Sequence, residues 1–282
     1  MQYAIEHVTI SLDKLRVREA LHVILYSLDR DLQWYQKRTK TKGRENSVSA
    51  ILSIFLKTRI IMLAPFAPFI SEEIWEIIGS ENTKNTILPI STSTSKSVIF
   101  AGWPQADYNK KDPVAEESEQ IIMNLALDIQ KIVKVTKVTP KNIVIYTSSQ
   151  WKRHIYRKIL ASVLLENKTN FSDLMKELVN NPDTAAKSKS NPNLIRKMVE
   201  DILSDSIETR NRRLKLKDDF DEKFPLYDAN RLLSLESGNP QAQVIIYCEE
   251  VTEDDDTNLS KKYDPKSKAK FARPFKPAIY IE

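Results

Sequence analysis

Two prolines set between apolar runs constrain this chain more than any other feature. Residues 60–79 read Ile60-Ile61-Met62-Leu63-Ala64-Pro65-Phe66-Ala67-Pro68-Phe69-Ile70-Ser71-Glu72-Glu73-Ile74-Trp75-Glu76-Ile77-Ile78-Gly79. Proline lacks the amide a helix interior needs, and it pushes the preceding residue out of the helical region. The first helix must therefore end near Leu63. Ser71 is the expected cap of the next helix, Glu72 and Glu73 suit its positive first turn, and Gly79 is the expected stop. Phe66, Phe69 and Trp75 are expected inside the elbow.

Composition favours helices around that elbow. Glycine occurs only 4 times, while charged residues make up 29% and apolar residues 41% of the 282 positions. The length suits two domains. A net charge of +5 tolerates a polyanionic partner without demanding one. One cysteine, Cys248, excludes an internal disulfide framework and a cysteine-cluster zinc site. His7, His22 and His154 lie far apart and read as surface or packing residues. The first residues have neither the basic start nor the apolar run of a signal peptide. The longest apolar stretch, Ile60–Ile70, is too short to span a bilayer. These features predict a soluble cytoplasmic protein with no membrane partner.

Leu21, Leu25, Leu28, Leu32 and Tyr35 recur at helical spacing and predict an amphipathic helix over about 12–38. A basic loop is expected next, with Lys37, Arg38, Lys40, Lys42 and Arg44. Asn46 or Ser47 should cap a second helix that buries Ile51, Phe55 and Met62, and a third should cover 71–78. Residues 80–97 read as a loop and Val98-Ile99-Phe100 as a short strand.

Asp112-Pro113 is a strong helix start, and Ile122, Leu125, Ile129, Ile132 and Val133 form the stripe behind it. Strands are expected at 142–147, 243–248 and 277–282, the last tying the terminus into a sheet. Helices are expected from Ser148 or Ser149, with Trp151, Ile155 and Ile159 inside, and at 171–180, 193–217 and 226–236. The acid-rich 249–256 should stay solvated. The overall expectation is a mainly α helical bundle over 1–110, followed by a smaller α+β domain over 111–282.

No catalytic constellation emerges: there is no Gly-rich phosphate loop, no histidine pair at metal spacing and no metal site. Binding residues remain. The 37–44 stretch follows Trp34 and Tyr35; Tyr35 fits the core stripe, and either ring can stack on an unpaired base. The second stretch, 261–276, sets Lys261, Lys262, Lys266, Lys268, Lys270, Arg273 and Lys276 against one acid, Asp264. Such residues hold phosphates, though most basic runs are simply solvated faces.

Several segments carry a family resemblance. The corner at 63–75 resembles the helix junction in the anticodon-binding bundle of class I aminoacyl-tRNA synthetases. Leu15-Arg16-Val17-Arg18-Glu19-Ala20-Leu21 and Asp29-Arg30-Asp31-Leu32-Gln33-Trp34-Tyr35 resemble the first bundle helix of archaeal-type leucyl-tRNA synthetases. The end, Tyr263-Asp264-Pro265-Lys266-Ser267-Lys268-Ala269 and then Arg273-Pro274-Phe275-Lys276-Pro277-Ala278-Ile279-Tyr280-Ile281-Glu282, is similar to that family's C-terminal run. Strand 142–147 with Gln150-Trp151-Lys152 fits its appended domain, whereas 165–240 matches nothing clearly.

The resemblance implies the last third or so of such an enzyme: a part that positions tRNA(Leu) through its body and long variable arm rather than its anticodon. The catalytic part, with its ATP and Mg, would be a separate partner. Ala186-Lys187-Ser188-Lys189-Ser190 only partly imitates a catalytic signature and reads as a polar loop; the other signature is absent, so this chain alone should not activate an amino acid. The resemblance also makes Ala278, Ile279, Ile281 and Glu282 candidates for reading bases, with Lys266, Lys268, Arg273 and Lys276 on phosphates. Ser267 departs from the family's usual glycine, which suggests a different local loop. Two alternatives stay open: a synthetase-derived interaction protein that binds no RNA, and the bundle of an isoleucine, valine or methionine enzyme.

Overall fold

The computed structural model describes residues 1–42, 45–81, 97–216, 220–250 and 263–282. The chain divides into two units, Met1–Lys111 and Asp112–Glu282.

The first unit is helical: α1 (Gln2–Asp13), α2 (Val17–His22), a π turn (Val23–Ser27), α3 (Leu28–Lys42), α4 (Glu45–Leu63) and α5 (Pro68–Glu81). The single helix expected over 12–38 is therefore interrupted twice. Leu15 takes a left-handed conformation (φ 55°) and ends the first helix. The π turn then inserts one extra residue per turn, which rotates the apolar stripe. Ala20, Ile24 and Leu28 become the buried positions, while Leu25 of the expected stripe is exposed. Arg59 of α4 binds the loosened turn: its guanidinium donates to the carbonyls of Ile24 (2.9 Å) and Leu25 (3.1 Å). Met62, Ile5 and Val8 complete this core, with Phe55, Phe66 and Trp103 against it. Ile51, expected inside, is exposed.

At the corner α4 stops at Leu63, where the prolines demand it, and the amides of Phe66 and Ala67 close onto the Leu63 carbonyl at 2.9 and 3.0 Å. The next helix starts earlier than expected, at Pro68, whose missing amide and fixed φ suit a first helical position. Ser71 is consequently not a cap but a fully buried residue of the first turn. Glu72 accepts from Ser97 Oγ (2.9 Å) and the Val98 amide (3.0 Å), and holds residues 98–100 as a 3-10 turn instead of the expected strand. The helix continues past Gly79 to Glu81. Phe66 and Trp75 are half-buried, but Phe69 is 88% exposed. The corner thus points one of its aromatic rings outward. Most of the loop expected at 80–97 lies outside the described residues, as does nearly all of the acidic run 249–256.

The second unit opens with α6 (Pro113–Thr136), capped by Asp112, whose carboxylate accepts from the amides of Val114 (2.9 Å) and Ala115 (3.2 Å). It continues through β1 (Asn142–Thr147), α7 (Gln150–Leu165), α8 (Phe171–Asn180), α9 (Pro182–Ser190), α10 (Pro192–Ser204), α11 (Ile207–Leu214), α12 (Lys223–Asp228), α13 (Asn230–Glu236), β2 (Gln243–Cys248) and β3 (Ala278–Ile281). The strand order is β2-β1-β3, parallel on one side of β1 and antiparallel on the other. A parallel neighbour needs a long crossover, and α7 to α13 supply it. The expected helical bundle followed by an α+β domain is what forms, but the α+β unit is the longer of the two.

Three local expectations change. The helix expected over 193–217 breaks at Asp205, where Ser206 caps a new one through the Thr209 amide (3.2 Å). Residues 226–236 form two helices joined at Ala229. The stretch expected as a polar loop at 186–190 is the end of α9, started by Asn181 as cap and Pro182 at its first position. Ile155, Ile159, Leu174, Ile195, Met198 and Ile202 pack these helices into a core, with Trp151 at its edge.

Candidate nucleic-acid interface

The first basic stretch is the end of α3, not a loop. Helical geometry then sorts its charges. Lys37 and Lys40, three positions apart, share a side and are exposed, whereas Arg38, one step round the helix, is only 5% exposed. Arg38 is thus not placed to meet a surface ligand. Trp34 and Tyr35 are both half-buried. The Lys42 side chain and Arg44 lie outside the described residues.

The second stretch is a folded tail that several side chains hold. Asp264 accepts from the amides of Lys268 (2.6 Å) and Ala269 (3.0 Å) and starts a short 3-10 turn, 269–271. Ser267 takes the left-handed conformation (φ 50°) that glycine would take freely, so the turn is kept at a steric cost. Lys152 on α7 is 1% exposed; its ammonium reaches Glu249 (2.7 Å) and the carbonyls of Lys270 (2.9 Å) and Ala272 (2.8 Å). A buried ammonium needs such partners, and here they fasten the tail to the helix. Beyond it, Arg273 and Lys276 pair across a tight turn and both meet Asp201 of α10, at 2.8 and 2.6 Å. Inside this turn Phe275, also left-handed (φ 63°), gives its amide to Glu222 at 2.9 Å. Glu222 is fully buried, and burial raises its pKa despite the hydrogen bonds from Phe275 and Ser148.

β3 separates the remaining candidates by strand alternation. Ala278 and Tyr280 turn toward Val144, Tyr146, Ala269 and Ala272. Ile279 turns the other way, and it and Ala278 both line a groove of about 480 Å³ between α6 and the tail. Lys268, Arg273 and Lys276 line the same groove. Lys266 does not: it is exposed and lies over the Tyr280 ring at 5.6 Å.

Ile281 pairs with Ile143, and the backbone of Glu282 bonds to Asn142 and Lys141. The Glu282 carboxylate accepts from Tyr263 (2.6 Å) and Asn142 Nδ2 (2.9 Å), bonds that lower its pKa. As placed, Glu282 locks the end of the sheet, and these two bonds fix the position of its carboxylate. Arg273 and Lys276 likewise bring charges that Asp201 partly offsets.

The groove also contains residues that sequence reasoning missed. Asn124, Leu127 and Lys131 line it from α6, and Phe271 from the tail. Leu127 and Phe271 are exposed, and Lys131 pairs with Asp128 at 3.1 Å. Residues 124, 127 and 131 recur at helical spacing outside the α6 core stripe, so a second face was legible. That the tail folds over it was not. The groove therefore combines cations, the rings of Phe271 and Phe275, aliphatic surface and one carboxylate, Asp128, which Lys131 pairs; cations beside rings are the mixture that serves phosphates and unstacked bases. Among the described residues no group of three His, Cys, Asp or Glu residues is arranged to hold a metal, and no helix is long and apolar enough to cross a membrane.

The chain is thus a helical bundle with a proline corner, followed by a small sheet with a basic groove beside it. Residues 1–145 match the family model described as the anticodon-binding domain of tRNA ligase, and the chain belongs to that family. Among curated proteins it is similar to the leucine–tRNA ligase of Methanococcoides burtonii (34% identical over 272 residues, 96% of this chain and 25% of the relative). It is also similar to those of Methanosarcina acetivorans (32% over 282 residues, 100% and 26%) and Pyrococcus abyssi (29% over 281 residues, 99% and 24%). The chain spans about a quarter of the length of these relatives. The resemblance to archaeal-type leucine enzymes read from its two ends is borne out across the chain, including the middle segment that the sequence left unmatched.

Proposed function

We propose that this chain holds tRNA(Leu) for leucylation by a separate catalytic part, with the groove of the second unit on the long variable arm. The observation that carries this reading is the convergence of Lys131, Lys268, Arg273 and Lys276 around Phe271 and Ile279 in one groove. Lysine and arginine bind phosphates without reading sequence, and the ring and the aliphatic surface take unstacked bases of a loop. Exposed Lys37 and Lys40 on α3 offer further phosphate contacts from the first unit. The chemistry of leucine activation, with ATP and Mg, belongs to the catalytic part; no residue of this chain is assigned to it.

The test is a binding titration of tRNA(Leu) against a tRNA without a long variable arm. The long-armed tRNA should bind about tenfold more tightly. Lys268→Gln with Lys276→Gln should cut that preference and flatten the salt dependence, by about 0.7 to 0.9 in log–log slope for each phosphate no longer neutralised. Equal affinity for the two tRNAs would overturn the variable-arm assignment.

A further inference from the structure

A second cavity lies on the other side of the Arg273–Lys276 turn. It encloses about 220 Å³, and Phe275 lines both it and the groove. Drug-sized ligands need roughly 300 Å³ or more, so this space suits a single base or phosphate rather than a whole cofactor. Arg153, Arg157, Arg213 and His154 line it together with Phe220 and Phe275, and no carboxylate among the described residues lines it.

The four cationic or ionisable groups are not equivalent. Arg213 is committed to the fold: it donates to Glu117 (2.9 Å), to Asp205 (2.6 Å) and to the Tyr156 hydroxyl (2.7 Å), and it covers the Phe275 ring at 4.4 Å. Arg157 donates to the carbonyl of Leu216 at 2.6 Å. Arg153 differs: its Nε is buried and has no hydrogen-bond partner among the described residues. A buried guanidinium donor left unmatched is costly unless a ligand matches it. The nearby acid is Glu222: burial raises its pKa, while the hydrogen bond from the Phe275 amide, the charge of Arg153 and the bonds from Ser148 act the other way. The aromatic wall is preformed, with Phe275 stacked on Phe220 at 6.0 Å between centroids and tilted against Tyr156 at 5.3 Å.

We propose that this cavity captures one unstacked nucleotide of the RNA strand in the groove, its base on the Phe220–Phe275 wall and its phosphate on Arg153 and Arg157. This rests on the reading that the second unit binds RNA. The shared residue Phe275 gives the path, because a strand that crosses the 273–276 turn passes from one cavity to the other. Stacking on aromatic rings is tolerant of base identity, so the pocket would act as a clamp more than a reader.

The experiment uses the whole chain and tRNA(Leu) in a salt series, with Arg153→Gln and Phe220→Leu as variants and thermal melting as the folding check. Arg153→Gln should weaken binding about tenfold and reduce the salt slope by about 0.7, as expected for one phosphate of a single strand. Phe220→Leu should weaken binding without changing the slope. Abasic substitution along the variable arm should find one position that costs the wild-type protein affinity and costs Phe220→Leu nothing further. Wild-type affinity and slope in both folded variants, with Lys268→Gln and Lys276→Gln still impaired, would overturn the pocket and leave the groove standing. Absence of tRNA binding by the unmodified chain would overturn the RNA reading itself, and the pocket with it.

Discussion

The two basic segments both read as clusters of cations and end in different physical states. On α3 the charges are sorted by which face of one helix they occupy: Lys37 and Lys40 face outward and Arg38 is carried inside. In the tail there is no regular element to do the sorting, and specific partners do it instead. Asp264 sets the turn, Lys152 anchors the carbonyls, Asp201 gathers Arg273 and Lys276, and Glu222 holds the Phe275 amide. The helix offers long side chains with many rotamers. The tail offers charges already placed, which reduces the ordering cost of binding. Internal acids offset part of their attraction for phosphate.

The largest effect that would break this contrast is expected at Lys152. Lys152→Met leaves Glu249 and two tail carbonyls without their cation, and removing one member of a buried pair costs about 3 kcal/mol or more. Urea denaturation should show that destabilisation, whereas Lys40→Met on α3 should stay within about 0.5 kcal/mol. Comparable effects for the two would erase the distinction between an anchored tail and an open helix.

Next comes Asp201. Asp201→Asn keeps the shape but releases Arg273 and Lys276, and stability should fall by about 1 to 2 kcal/mol for these partly buried pairs. Tryptic cleavage of the released tail after Lys268 or Lys270 should accelerate, since the bonds after Arg273 and Lys276 precede prolines and resist trypsin. A tail that resists trypsin as before would mean that Asp201 does not hold it.

A third, pH-dependent effect isolates Glu222. Its pKa is raised in the folded state above the ordinary value of 4.5, so the folded form binds this proton more tightly than the unfolded form does. Stability from this group is fully present below pH 4.5 and declines as pH rises through the folded value. Glu222→Gln removes that decline. Its melting temperature relative to wild type should therefore rise between about pH 4 and pH 7, and a constant difference would contradict the assignment.

The smallest effect is at Ser267. Ser267→Gly relieves the left-handed strain at φ 50° while giving the unfolded chain more freedom, for a net gain of about 0.5 kcal/mol. A destabilised variant would show that the serine side chain contributes something the turn geometry does not reveal.

Much of this was legible one residue at a time. Pro65 and Pro68 ended α4 at Leu63 because covalent geometry leaves no alternative. Asp112-Pro113 began α6, and unbroken runs of β-branched residues followed by tyrosine made β1 and β2. The family was legible too, because motifs at both ends of the chain are local strings. The candidate site was half legible: Lys268, Arg273, Lys276 and Ile279 were named and do line one groove, while Lys131 and Phe271 were not. Charge type can be read from a sequence, but whether a charge meets an internal acid depends on a partner such as Asp201, distant along the chain.

The sequence by itself determined that α4 stops at Leu63, that α6 starts at Pro113, that three segments pair as strands and which relatives the chain has, since these follow from local sterics and short motifs. Only the tertiary structure decided that Arg38 is buried, that Phe69 faces outward, that Ser267 is forced left-handed and that Glu282 locks the sheet. Except for Ser267, whose turn Asp264 holds locally, these depend on contacts between distant segments, and each is decided by what burial and pairing offset against strain and desolvation.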